Sequence, residues 1–246
     1  GAYGGAKLEI VNLDNKSSPQ DSVLMLQQAI DQGIRYITQA NGSNVAHALN
    51  DAVAKHNLRN PDKAVLFLNF GAIDPALTNE KCTYWHFRFD ANVDMKLEAF
   101  TNYMAQQKSI QKVYLINQDY AFGQSVSKVG KEMIGRKRPD IKIVGDDLHP
   151  IGKVKDFSPY ITKIKASGAD TVLTGNWGND LSLLVKAGKE AGLNVNYYSL
   201  YAYLVGSPTA IGESGANHVK TLSMWHNNIP DNKLEKFAAD YKKKYN

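Results

Sequence analysis

One cysteine in 246 residues excludes an internal disulfide framework and a cluster of thiolates around a metal. Cys82 then has two readings: a partly buried structural thiol, or half of a bridge whose partner lies outside this chain, which would suit an oxidising compartment. Long apolar runs are missing as well. None approaches the roughly 20 residues that cross a bilayer, and no basic-then-apolar leader opens the chain. The start Gly1-Ala2-Tyr3-Gly4-Gly5 reads as an interior or processed end. The motifs of common catalytic sites are also lacking: there is no G-x-S-x-G elbow, no G-x-x-x-x-G-K-[ST] loop, no H-E-x-x-H, and no G-x-G-x-x-G after the first visible strand. His47, His56, His86, His149, His218 and His226 are scattered without metal-ligand spacing. Asp119 and Asp180 lie in turns, where helix capping is the expected role. The expectation is a protein that is not an enzyme and holds no metal or cofactor.

Charge of one sign is not concentrated in a stripe. The formal net charge is +5, but the basic residues gather in Lys131 to Lys142 and in the tail Lys242-Lys243-Lys244, without interleaved aromatics, so no nucleic acid is expected as a partner. The tail reads as the solvated end of a helix with Leu234, Phe237, Ala238 and Tyr241 on its apolar side, and lysines suit a helix C-terminus.

What is present is a rhythm of apolar strand, polar turn and amphipathic helix. Leu8 to Leu13 reads as a strand. Ser18-Pro19-Gln20-Asp21 follows as a helix start, with a capping Ser, Pro at the first helical position and an acid in the first turn. Further strands are expected at Tyr36–Thr38, Ala64–Asn69, Lys112–Asn117, Ile141–Val144, Thr171–Thr174 and Asn196–Leu200. Strands alternating with helices predict an α/β protein with parallel sheets covered on both faces, and ligands bind beyond the carboxyl ends of such strands. Val93, Leu97, Phe100 and Met104 make one helical stripe, and Leu181, Leu184, Val185 and Ala191 make another ahead of Gly192, a helix-ending glycine. Ser158-Pro159 opens a helix that ends at Ser167-Gly168.

Two extended stretches, Trp85–Ala91 and Val219–Trp225, read as crossings between lobes. They divide the chain into a lobe of residues 90–222 and a second, partial lobe made of 1–89 with 223–246.

Five turns carry the unusual residues. In Gln39-Ala40-Asn41-Gly42-Ser43-Asn44, Gly42 permits a tight turn and the free amides of the following helix favour a carboxylate or phosphate; an ordinary cap serving only its own helix is the equal alternative. The others are Asn69–Pro75, Asn117–Gln124, Gly175–Asp180 and Tyr197–Tyr203. Four of the five carry an aromatic residue at the strand end, where a ring can wall a cleft, although at least one tyrosine of Tyr197–Tyr203 is expected simply to pack under a loop.

In order and spacing, Gly4–Ile10, Asp31–Tyr36, the Ser43 turn, Ala72–Pro75, Asp119–Gly123, Asp156–Ser158, Glu190–Leu193 and Ile211–Ser214 resemble the periplasmic solute-binding proteins of ABC importers of the leucine/isoleucine/valine-binding type. The resemblance implies the type I periplasmic-binding fold: two Rossmann-like lobes of parallel sheet flanked by helices, joined by hinge strands and closing on a solute. It implies a periplasmic monomer whose partners are a small carboxylate-bearing solute and a membrane permease. It also implies that a first strand and helix precede Gly1 and a further stretch follows Asn246, so the chain reads as incomplete at both ends. Carried over residue by residue, Ser43 matches the serine that holds the ligand carboxylate, flanked by Gly42 and Asn44; Gly71 matches a backbone contact; Phe122 and Trp177 match aromatics that close over the solute.

Two positions depart from that pattern. Ile73 stands where amino-acid binders commonly carry a Thr, and Tyr201 where they carry a Glu that pairs with the ligand ammonium. An ammonium left unpaired in a closed cleft costs on the order of 1–3 kcal/mol or more. An aromatic or apolar acid therefore fits better than an amino acid, and a quaternary amine in the aromatic box is a lesser alternative. A sensory domain of the same fold, read by an attached regulator rather than a transporter, is the alternative function.

Overall fold

The computed structural model describes residues 5, 7–224, 226, 229 and 233–245. Their strands form two wholly parallel sheets that share no strand. The first sheet has the order β1 (Tyr36–Gln39), β2 (Leu66–Asn69), β3 (His86–Arg88), with Tyr36 opposite Leu66 and Phe67 opposite His86. Helices α1 (Pro19–Asp31) and α2 (Ser43–Arg59) pack together and bury Leu26, Val45, Leu49 and Val53 with Phe67 of β2. The Oγ of Ser18 accepts the Asp21 N–H at 3.2 Å, so α1 starts where its cap and proline place it.

The second sheet comprises β4 (Lys112–Gln118), β5 (Lys142–His149), β6 (Thr171–Thr174), β7 (Asn196–Ser199) and β8 (Val219–Thr221) in the order β5-β4-β6-β7-β8. The last six residues of β4 are buried, and the period of two sorts neighbouring side chains onto opposite faces. Val113 and Leu115, with Leu173 and Tyr198, meet α3 (Val93–Ala105) and α4 (Ala121–Lys137). Tyr114 and Ile116, with Val172 and Tyr197, meet α5 (Ser158–Ser167) and α6 (Gly178–Glu190). A sheet covered on both faces explains why its central strands read as continuous apolar runs. Tyr197 and Tyr198 are thus strand residues in the cores of opposite faces, packed against helices rather than under a loop. The stripe Val93, Leu97, Phe100, Met104 is buried throughout, and Gly168 and Gly192 follow their helices with positive φ. A short α7 (Ser207–Ile211) and a terminal α8 (Lys233–Tyr245) complete the helices.

Several expectations need correction. Leu8–Leu13 is not a strand: no described strand lies beside it to complete a ladder, and Leu8 and Ile10 are 63% and 83% exposed. Trp85–Ala91 is not a free crossing, because β3 within it pairs with β2; the chain leaves the first sheet only after Arg88 and enters α3 through Phe89–Asn92. In the second stretch, β8 is an edge strand beside β7, and Trp225 lies outside the described residues. Cys82 is exposed rather than partly buried. Helix α8 forms in the tail as expected, with Phe237 and Tyr241 exposed.

Candidate functional site

Buried asparagines organise the ends of two strands. Asn69, closing β2, accepts the N–H groups of Gly71 and Ala72 at 3.1 and 2.8 Å and donates to the Ala72 carbonyl at 2.7 Å. The turn so pinned carries Gly71, Ile73 and Asp74. A Cβ on Gly71 would stand 2.8 Å from the Ala40 carbonyl oxygen, so this turn lies backbone to backbone against the one before α2. Asn117, near the end of β4, accepts the Gly175 N–H at 2.6 Å and donates to Ser127 Oγ at 2.8 Å, tying together the segments that follow β4 and β6.

Those two strands mark the point where the order of the second sheet reverses, the usual place for a ligand crevice in an open α/β sheet. Tyr120 and Phe122 follow β4, Trp177 follows β6, and the Trp177 indole N–H donates across the gap to the Tyr120 hydroxyl at 2.8 Å. Phe122 is tilted against Tyr120 and Tyr201, with ring centroids at 5.8 and 5.4 Å. Ile73, from the first sheet's turn, is buried in the same cluster as Phe122 and Tyr201, with Trp177 half-buried against it.

Helix starts face this cluster. Helices α1 and α3 are capped by the side chains of Ser18 and Asn92, whereas α2, α4 and α6 begin after Gly42, Tyr120 and Trp177 with no side-chain cap. Asp180 sits in the first turn of α6 and a neighbouring helix supplies an acceptor to the first amide of α4, whereas α2 has no acid in its first turn, so the positive end of the α2 dipole is the least compensated. Ser43 and Asn44 are therefore not caps but the first two helical residues of α2, and both are used elsewhere. The buried Ser43 Oγ accepts the Asp74 N–H at 3.3 Å, which leaves the hydroxyl proton available. Asn44, exposed, accepts the Ala121 N–H at 3.2 Å, so the starts of α2 and α4 touch.

A second bond crosses at the same place. Ser125 Oγ of α4 donates to Asp74 Oδ1 at 2.8 Å, while His47 Nε2 of α2 lies 2.5 Å from Asp74 Oδ2. Burial alone would push the Asp74 carboxyl upward, but the hydrogen bonds of His47 and Ser125 and the charge of His47 outweigh it and hold the group below its ordinary value. Tyr120 and Tyr201 are pushed well above the ordinary phenol range, chiefly by burial. At neutral pH they are hydrogen-bonding phenols with no charge.

Of the sequence-derived residues, Ile73, Phe122, Trp177 and Tyr201 come together, and Gly42, Ser43 and Asn44 start the helix beside them. Gly71 packs against Ala40. Asp119 and Asp180 do not cap helices: Asp119 accepts from Gln124 Nε2 at 2.9 Å, and the buried Asp180 accepts from Gln118 Nε2 at 2.7 Å and the Gly152 N–H at 2.8 Å. Sequence reasoning missed His47, Ser125, Asp90 and Lys96. Tyr120 and Asp74 lay inside quoted turns, but nothing local marked their partners. Among the described residues no group of three or more His, Cys, Asp or Glu is placed to hold a metal ion, and no helix is long and apolar enough to cross a membrane.

A model of the periplasmic binding protein family matches residues 1–246. The chain belongs to the periplasmic binding protein family. Within it, the Leu/Ile/Val-binding protein homolog 4 of Brucella abortus is 35% identical over 247 residues, covering 99% of this chain and 58% of that relative. The crystal structure of a leucine-, isoleucine-, valine-, threonine-, and alanine-binding protein from Brucella ovis, in a closed conformation, superposes with a TM-score of 0.84 at 34% identity over 97% of this chain and 61% of that one. A solute-binding protein of an R. palustris ABC transporter, solved with benzoate, gives 0.85 at 18% identity over 98% of this chain and 64% of that one, which speaks for the fold alone. The α/β architecture of helix-flanked parallel sheets is thus the type I periplasmic-binding fold. This periplasmic binding protein spans about 58% of the length of the curated relative it matches.

Proposed function

We propose that this chain is the ligand-capturing part of an extracytoplasmic solute-binding protein, which holds a small carboxylate-bearing ligand between two closing lobes and delivers it to an ABC importer. The lobes are residues 1–89 with 223–246, and 90–222. The ligand's carboxylate lies at the α2 start, on Gly42, Ser43 and Asn44 and near the Gly71 backbone. Its apolar body meets Ile73, Phe122, Trp177 and Tyr201. The chemistry is binding, without turnover.

The observation that carries this reading is the uncapped start of α2, which touches the start of α4, beside one aromatic cluster at the reversal of the second sheet. Helix amides and a serine hydroxyl suit an anion, and rings with phenol and indole tips suit a flat apolar body. Family membership supports the transport role. The Brucella relatives are named for leucine, isoleucine and valine, and one of them also for threonine and alanine, while fold-level neighbours from R. palustris were solved with benzoate and 4-hydroxybenzoate. With Ile73 and Tyr201 in place of ammonium partners, we favour an aromatic or apolar acid over an amino acid.

The test is a thermal-shift screen of the full chain with leucine, valine, benzoate and 4-hydroxybenzoate. At a hundredfold excess over the dissociation constant, a ligand that binds only the folded state stabilises by about 2.7 kcal/mol, a clear rise in midpoint. A shift with the aromatic acids alone supports the reading. A shift with leucine or valine alone overturns the account of the pocket and keeps the transport role.

A further inference from the structure

Where the chain passes from β3 to α3, an ion pair is buried beside the aromatic cluster. Lys96 Nζ lies 2.9 Å from Asp90 Oδ2, and the two side chains are 3% and 8% exposed. The second carboxylate oxygen, Asp90 Oδ1, is buried and has no hydrogen-bond partner. The Lys96 ammonium also stands 5.0 Å from the centre of the Tyr201 ring, which links the pair to a proposed wall of the site. Asp90 contributes to the raised pKa of both Tyr201 and Tyr203, after the larger effect of burial. Tyr203 lies next to Tyr201, with ring centroids 6.2 Å apart.

A buried carboxylate oxygen without a donor is an unmet acceptor, and native structures rarely leave one so. Here the charge of Asp90 is already balanced by Lys96. The open oxygen is therefore an acceptor in a neutral pair. A second cation brought to it would also meet the Lys96 ammonium, whereas a hydroxyl would not.

We propose that Asp90 Oδ1 accepts a hydrogen bond from a hydroxyl group of the bound acid, which makes Asp90 a specificity-determining residue and the ligand class hydroxylated carboxylates. This rests on the reading of the Ser43–Tyr201 cluster as the ligand site. A site that presents an acceptor to a ligand hydroxyl discriminates against the analogue without it, because the acceptor then stays unpaired.

The experiment is isothermal titration calorimetry of the full chain with benzoate, 3- and 4-hydroxybenzoate, and the corresponding methoxybenzoates, which keep the oxygen and lose the donor. The expected result is at least about a tenfold preference for one hydroxybenzoate over both benzoate and its methoxy counterpart. In D90A/K96M, which removes both charges and leaves neither unpaired, that preference falls to within about threefold, whatever the change in benzoate affinity itself. D90N, checked for cooperative unfolding, reports the loss of the carboxylate alone and is expected to lower the preference as well. Equal binding of all the acids by the unaltered chain overturns this inference alone, as does a preference that survives in the double variant. Binding of none of them overturns both this inference and the proposed function.

Discussion

Ser125→Ala tests how the two halves of the site are held together. The Ser125 hydroxyl on α4 donates to Asp74 Oδ1 at 2.8 Å, and Asp74 belongs to the turn after β2 of the other sheet. In the proposed closure this bond forms only when the lobes meet, so its loss destabilises the liganded form and leaves each lobe's own core untouched. A hydrogen bond to a charged group contributes about 1.5–3 kcal/mol. Asp74 keeps His47 as a partner, and water can reach a boundary between lobes, so the lower end applies: about 1.5 kcal/mol, or roughly a tenfold weaker dissociation constant. The loss should fall mainly on the dissociation rate. Calorimetry and stopped-flow release, with the acid that stabilises the chain most, measure both quantities. The melting midpoint without ligand should change little. Unchanged affinity in Ser125→Ala, at an unchanged midpoint, refutes the view that this bond latches the site.

Ser43→Ala and Trp177→Ala should each weaken binding of the same acid without lowering the unliganded midpoint appreciably, and unchanged affinity in both removes the site assignment. Gly71→Ala places a methyl group 2.8 Å from the Ala40 carbonyl oxygen and 3.0 Å from its Cβ, so the turns must separate. Overpacking of this kind costs about 1–3 kcal/mol, measurable by denaturant unfolding. His86 is buried, with Nδ1 at 3.2 Å from the Leu77 carbonyl oxygen and Nε2 at 3.3 Å from the Asn69 amide nitrogen, and burial lowers its pKa below 6.5. Below that value the unfolded chain binds a proton that the native state refuses, so stability is lost as pH falls from 6.5 toward the folded value. Melting curves across that interval should show a steeper decline for the unaltered chain than for His86→Asn; equal slopes would discount His86.

Much of the architecture was legible because it is written in local periods and caps. The stripe Val93, Leu97, Phe100, Met104 is buried as spaced, Ser18 caps α1, and Gly168 and Gly192 follow helix ends. These features depend on side chains within a turn or two of one another, which is the range at which sequence and geometry coincide. Leu8–Leu13 shows where that logic stops: a strand needs a neighbour, and the alternation of its own residues cannot provide one.

The candidate site divides in the same way. Phe122, Trp177 and Tyr201 were visible as rings at strand ends, because the end of a parallel strand is a position that sequence pattern can locate. Their meeting with Ile73 was implied only by the family resemblance, since no local pattern brings the first sheet's turn into the second sheet's apolar cluster. His47, Asp74 and Ser125 come from three elements, 27 and 51 residues apart along the two bonds, and Asp90 and Lys96 stand six apart, a spacing that no helix face brings together. The amino-acid sequence by itself determined most of the helices and the central strands, and which turns carry polar and aromatic groups. Only the tertiary structure decided which of those turns face one another, because pairing across sheets follows from packing volume and burial, and these belong to the assembled chain.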